Sequence, residues 1–183
     1  RDFEPGATDR YEAAYFWEER NRWFSDVWSD LGGELQTLED AGLRDRSGAY
    51  PFEIPYRLIN MYSVYGDTVL DPFWGTGTTS LAAMVAARSS LGYELDRAFL
   101  ERFTREVNAV PSFARDVLST RLADHQAFIE DAREGSREFK YEATHYEFPV
   151  TTKRERDIRL YDIDRIDETD PGYRVIHEPI ESR

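Results

Sequence analysis

The chain predicts an α/β fold: a partial parallel sheet with its crossover helix, followed by a small β-rich C-terminal appendage. Residues 68–94 read as strand, glycine-rich loop, helix and strand in succession, the crossover that parallel strands require. After Ser136 the text changes to short alternating apolar and polar runs, the period of half-buried strands. With 183 residues, 40% of them hydrophobic and 14% aromatic, the chain suits a folded domain with a buried core better than a disordered acidic polymer.

From Asp9 to Leu31 the pattern predicts one helix. Trp23 with Val27, and Phe24 with Trp28 and Leu31, recur at helical spacing, and Gly32-Gly33 supplies a stop. An aromatic stripe at that spacing is more often core than a base-stacking platform, a reading that extends to Trp17. Residues 34–49 are polar and read as a loop or short helix. A second helix starts at Pro55, tolerated in a first turn, with Leu58, Ile59 and Tyr62 as its apolar face. Gly66-Asp67 is a turn and Thr68-Val69-Leu70 a short buried strand. The loop Phe73 to Gly77 leads into Thr78–Ala87, apolar nearly all round and therefore packed on several sides. Leu91-Gly92-Tyr93-Glu94 is the next strand. Helices follow at 97–108 (Phe99, Phe103, Val107) and 112–134 (Phe113, Val117, Phe128, Ile129), with Gly135 as stop. Phe139, Tyr141 and Ala143, then Phe148 and Val150, Ile158 and Leu160, and Tyr173 and Val175 predict three or four short strands. The expected division is a helical segment 1–49, an α/β core 50–135 and the β-rich appendage 136–183.

Cysteine is absent, which excludes a disulfide scaffold, Cys-ligated zinc and thiol catalysis. No apolar run approaches the roughly 20 residues of a membrane span, and no signal-peptide pattern opens the chain, so a soluble cytoplasmic protein is expected. The first residue is Arg rather than Met, consistent with a processed start, a trimmed chain or a fragment. Thirty-six acids against 23 bases give a net charge of −13 and a pI near 4.7. Only Lys140 and Lys153 are lysines, and the acids are spread along the chain. That pattern resembles the solvated surface of a halophilic protein, kept dispersed by its charge; the alternative is an ordinary acidic protein that avoids polyanions. In molar salt the Debye length is about 3 Å, so the charge does not exclude a nucleic-acid partner.

The segment that carries chemistry is Asp71-Pro72-Phe73-Trp74-Gly75-Thr76-Gly77-Thr78-Thr79. It follows a strand and precedes a helix, and Glu94 ends the next strand, 23 residues past Asp71. This is the layout of a nucleotide-type pocket at the carboxyl ends of parallel strands. Gly75 and Gly77 let backbone approach a ligand; the bland alternative is that they only make a tight turn. A phosphate-cradling loop needs a lysine, and none lies near. A dinucleotide fingerprint needs a third glycine where Ser80 stands, and Asp71 would repel a pyrophosphate. S-adenosyl-L-methionine fits better: Asp71 attracts its cationic sulfonium and amino groups, and Glu94 holds the ribose.

DPFWGTGTT resembles the cofactor motif D-P-F-x-G-[ST]-G-T-T of the DNA methyltransferases that modify N6 of adenine or N4 of cytosine. Tyr50-Pro51-Phe52-Glu53-Ile54-Pro55, Leu58-Ile59, Ser63 and Gly66-Asp67 resemble the segment that precedes this motif in circularly permuted members, with Tyr50 where His is usual. Gly92-Tyr93-Glu94-Leu95-Asp96 is similar to the family's G-x-E-x-D. The resemblance covers residues 50–100. It implies a Rossmann-like S-adenosylmethionine-dependent methyltransferase sheet, double-stranded DNA as partner and a place in restriction-modification. It further implies that Asp71, Pro72, Phe73, Gly75, Gly77, Thr78 and Glu94 line the cofactor site, with Phe52 and Pro55 near the methionine end.

The same resemblance implies a catalytic loop, [DNS]-P-P-[YFW], whose polar side chain and proline carbonyl hold the target amino group. Its aromatic residue stacks on the flipped base. This chain has no such tetrapeptide, so no catalytic residue is assigned. Asp170-Pro171-Gly172-Tyr173 is the nearest text and reads as a turn. The expectation is the cofactor-binding, C-terminal portion of such an enzyme, inactive alone, with its catalytic half supplied by a missing N-terminal segment or partner chain, or with self-association covering the gap. The alternatives are a non-catalytic cofactor-binding subunit, or a methyltransferase acting on RNA or a small molecule. His125, His145 and His177 lack ligand spacing, so no metal site is expected. Lys153-Arg154-Glu155-Arg156 is the one local basic cluster and weak evidence for phosphate contact.

Overall fold

The computed structural model describes residues 6–31 and 50–180. The expected Gly32-Gly33 stop and the reading of residues 34–49 lie outside the described residues.

The predicted first helix is two short ones, α1 (Thr8–Glu12) and α2 (Trp17–Trp23). Tertiary contacts reset the chain between them. Phe16 is fully buried and extended at the start of α2. Its N–H donates to Glu19 Oε2 at 2.8 Å, and the N–H of Trp17 donates to Glu155 Oε1 at 2.7 Å. Glu19 in turn pairs inside the protein with Arg121, as a buried carboxylate must. Beyond Trp23 the helix stops, and of the expected aromatic stripe Trp23 is the buried member, whereas Phe24 and Val27 are exposed.

Helix α3 (Glu53–Tyr62) carries Pro55 in its first turn. Strands β1 (Thr68–Asp71) and β2 (Ser89–Gly92) pair in parallel, from Thr68 opposite Ser89 to Asp71 opposite Gly92. Helix α4 (Thr78–Val85) crosses between them. The second strand therefore lies two residues earlier than its predicted span, and Glu94 stands in the loop beyond it. Tyr93 still donates to the Asp71 carbonyl at 3.0 Å, but its own carbonyl turns to receive Trp74 N–H at 3.0 Å, which ends the strand. The sheet is also less buried than a strand covered on both faces. Val69 packs against the core cluster, whereas Leu70 and Leu91 are 60% and 50% exposed.

Asp96 caps α5 (Arg97–Glu106) by accepting Ala98 N–H. A 3-10 turn, Val107–Ala109, then leads into the long α6 (Val110–Glu134). The C-terminal part holds two antiparallel pairs. Strands β3 (Tyr141–Glu142) and β4 (Pro149–Val150) are short; β5 (Tyr161–Glu168) and β6 (Tyr173–Pro179) form a longer hairpin. Ile158 and Leu160 precede β5 rather than forming a strand of their own, because both are buried in a cluster with Phe16, Leu118, Phe148 and Val150. The long hairpin packs on the first core: Ile163 joins Ala82, Ala83, Val85 and Phe103 in one cluster, and His177 Nε2 lies 2.8 Å from the Met84 carbonyl. His125 is fully buried against Phe16 and hydrogen-bonds through both ring nitrogens. No described helix is long and apolar enough to cross a membrane, and no group of three or more His, Asp or Glu among the described residues is arranged to hold a metal ion.

Candidate functional site

The DPFWGTGTT segment turns at the carboxyl end of β1. Asp71, the last residue of the strand, accepts Phe73 N–H on Oδ1 at 3.0 Å. Its Oδ2 is buried and has no hydrogen-bond partner among the described residues. A buried acceptor left open costs free energy, and no donor among the described residues meets this oxygen. Pro72 and Phe73 beside it are exposed.

Gly75 and Gly77 both have positive φ, but they serve different ends. A Cβ on Gly75 would meet nothing nearer than the Phe73 carbonyl at 3.8 Å, so the loop there is open to a ligand. A Cβ on Gly77 would fall 2.5 Å from Phe103 and 2.7 Å from Trp74, so that glycine makes room for the protein's own rings. Trp74 lies under the loop, with its Nε1–H donated to Ser80 Oγ at 2.7 Å and its ring edge-on to Phe103. Gly92 is held to the same requirement, since its Cβ would sit 2.0 Å from Trp74.

Glu94 ties the two loops together. One oxygen accepts Gly75 N–H at 2.8 Å, and the other accepts the N–H groups of Leu95 and Asp96 at 2.8 and 2.9 Å. The carboxylate is exposed and retains acceptor capacity for a hydroxyl donor.

On the other side of the glycine loop lies a cavity of about 440 Å³, lined among others by Phe52, Thr76, Gly77, Thr78, Arg102 and Phe113. Phe52 stacks on Tyr56 and meets Phe113 edge-on, and Tyr50 is fixed by a 2.6 Å hydrogen bond with Thr79. The structure thus brings Phe52, Gly77 and Thr78 together at this cavity, and Asp71, Phe73, Gly75 and Glu94 at the open end of the sheet. Pro55 joins neither group, being buried in the first turn of α3. Asp170 to Gly172 form the turn of the β5–β6 hairpin, closed by Thr169 N–H on the Gly172 carbonyl at 2.8 Å, and Tyr173 opens β6. Arg102 was not singled out from the sequence; its spacing of four from Glu106 on α5 was the available signal. A second cavity, about 550 Å³ between α1 and the end of α3, touches none of these residues.

The N6_N4_Mtase family model, described as DNA methylase, matches residues 3–105, more than half of the chain. The chain belongs to this DNA methylase family. The chain is 52% identical over 152 residues to the type II methyltransferase M.MthZI of Methanothermobacter thermautotrophicus, covering 83% of this chain and 41% of that protein. It is 50% identical over 98 residues to the type II methyltransferase M.MjaI of Methanocaldococcus jannaschii, covering 54% of this chain and 31% of that protein. It thus spans well under half the length of these curated relatives. A protein of Thermus thermophilus, described as a DNA modification methylase and solved with S-adenosyl-L-methionine, is 36% identical over 58% of this chain and 40% of its own, with a TM-score of 0.46. The chain has the α/β class expected from its sequence, with the β1–α4–β2 unit as its part of a Rossmann-like sheet.

Proposed function

We propose that this chain is the cofactor-binding, C-terminal portion of a circularly permuted amino-group DNA methyltransferase. The complete enzyme transfers methyl from S-adenosyl-L-methionine to N6 of adenine or N4 of cytosine in double-stranded DNA, as part of restriction-modification. The observation that supports this best is the buried Asp71 Oδ2 at the end of β1, without a hydrogen-bond partner among the described residues, on the strand that leads into a loop with open space at Gly75. A carboxylate in that position suits a cationic ligand. Asp71 attracts the cofactor's positive end, Glu94 takes ribose hydroxyls, and Pro72, Phe73, Gly77 and Thr78 shape the loop between them. When bound, the cofactor supplies the electrophilic methyl group. The chain's own residues bind and orient it, and catalysis of this kind is largely positioning.

The catalytic loop belongs to the rest of the enzyme, from further sequence or a partner chain. Two features support a covering partner. Among the described residues β1 pairs with β2 alone, and Leu70, Phe73, Leu91 and Leu95 are exposed around the same sheet end. A bare edge beside apolar surface is a liability that proteins cover. The chain by itself is expected to bind S-adenosyl-L-methionine, to transfer no tritiated methyl to mixed duplex DNA, and to self-associate in light scattering unless a partner is supplied. Methyl transfer by a monomer of this chain would overturn the division of labour, and absence of cofactor binding would overturn the reading of the site.

A further inference from the structure

Two sequence features that the cofactor site leaves unused meet at the second cavity. Ser63 and Val64 on its wall lead into β1 through the Gly66-Asp67 turn, whereas Asp71 ends that strand. The cavity therefore lies toward the amino end of β1, away from the glycine loop. The basic tetrad is the first feature. Lys153–Asp157 forms a 3-10 turn in which Glu155, the acid of the tetrad, is buried. Its carboxylate is taken by the N–H groups of Trp17 and Thr152. Lys153, Arg154 and Arg156 stay exposed, so the surface there is more basic than the sequence reads. Arg154 reaches the cavity beside Arg10 of α1, and among the described residues that line it these two are the charged ones. Glu12 of α1 is turned instead to the Tyr161 hydroxyl.

The outer part of the aromatic stripe is the second feature. Tyr11, Tyr15 and Tyr62 line the same cavity. Phe24 lies between the last two, its ring centroid 5.3 Å from that of Tyr15 and 6.3 Å from that of Tyr62. Phe24 and Tyr62 are 44% and 74% exposed. A row of open rings beside guanidinium groups has the chemistry of single-strand recognition, in which bases stack on rings and phosphates meet cations. A duplex keeps its bases stacked inside and offers such rings nothing. The net charge of −13 also opposes a long polyanion, so a short unpaired stretch fits better than a duplex track.

We infer that this surface is a second nucleic-acid site, separate from the cofactor loop, which takes one or two unpaired nucleotides. Tyr62 and Phe24 stack on a base, and Arg154 with Arg10 receives the adjoining phosphate. Fluorescence anisotropy of the full chain with a labelled oligothymidylate of about ten nucleotides tests this. The single strand is expected to bind about tenfold tighter than a duplex of the same length, and free thymidine monophosphate to compete more weakly than the strand. Tyr62→Ala and Arg154→Gln should each weaken the single strand by about threefold to tenfold. Tyr62→Phe, which keeps the ring, and Arg154→Lys, which keeps the charge, should recover part of the loss. Both side chains are exposed, and thermal melts establish that each variant is folded. Titration with S-adenosyl-L-methionine should be the same in Tyr62→Ala and Arg154→Gln as in the parent. Duplex bound as tightly as single strand, or single-strand binding untouched by either substitution, would overturn the assignment while leaving the cofactor reading intact. Thymidine monophosphate competing as well as the strand would overturn the strand as occupant, and a matching loss of cofactor affinity would overturn the separateness of the two sites.

Discussion

Asp71 and Gly92 show how much can hang on one residue at the end of a strand. Asp71 keeps one oxygen for the loop and leaves the other open. Replacing it with Ala should weaken S-adenosyl-L-methionine binding by one to two orders of magnitude, the loss of a charge-assisted contact of roughly 1.5–3 kcal/mol; calorimetry showing equal affinity would remove Asp71 from the site. Gly92 is constrained from the side of the fold instead. With Trp74 only 2.0 Å from its virtual Cβ, Gly92→Ala should destabilise the chain by about 1–3 kcal/mol through overpacking. In a chain that already carries Trp74→Leu, the same Gly92→Ala change should cost less, and strictly additive losses in denaturant melts would refute the contact. Of the two loop glycines, Gly75 has open space where a Cβ would stand. The reason for Gly77, the crowding of Trp74 and Phe103, could not be read, because it depends on α5 folding back over the loop.

Among the elements, the β1–α4–β2 unit was legible because its signals are local: a turn at Gly66-Asp67, a glycine loop, and an apolar helix between two short strands. The single helix that the spacing predicts over residues 9–31 is broken from a distance. Trp17 N–H is taken by Glu155, 138 residues away, and Glu19 by Arg121 on α6; no spacing within residues 9–31 encodes either contact. The cavity wall was hidden for the same reason, since Arg102 and Phe113 reach it from separate helices. The β5–β6 hairpin carries its own test. Burial pushes the pKa of His177 below its ordinary value, outweighing the Met84 carbonyl and the Asp162 charge. The unfolded chain therefore takes up a proton near the ordinary histidine pKa of about 6.5 that the folded chain refuses. Stability should fall as pH drops through that region, and more steeply in the parent than in His177→Gln. Parallel melts of the two proteins between about pH 5.5 and 7.5 check this, and identical slopes would show that His177 is not the group responsible.

For the molecule as a whole, charge matters most. A net charge of −13 repels itself in dilute buffer, and salt relieves that repulsion. If the acidic surface is an adaptation to salt, the melting temperature should rise from dilute buffer to molar KCl. A flat or falling curve would leave the acidity without that explanation.

Trp74 brings one more consequence. Its indole lies directly beneath the glycine loop, hydrogen-bonded to Ser80 and edge-on to Phe103, while the backbone of the same residue closes the loop from Gly77 N–H to its own carbonyl. The chain therefore carries a fluorophore in the floor of its candidate site. With Trp17, Trp23 and Trp28 changed to phenylalanine, its emission becomes a single-site optical signal. Stopped-flow mixing could then time ligand arrival at the loop, with no label and no methyl acceptor in the cuvette.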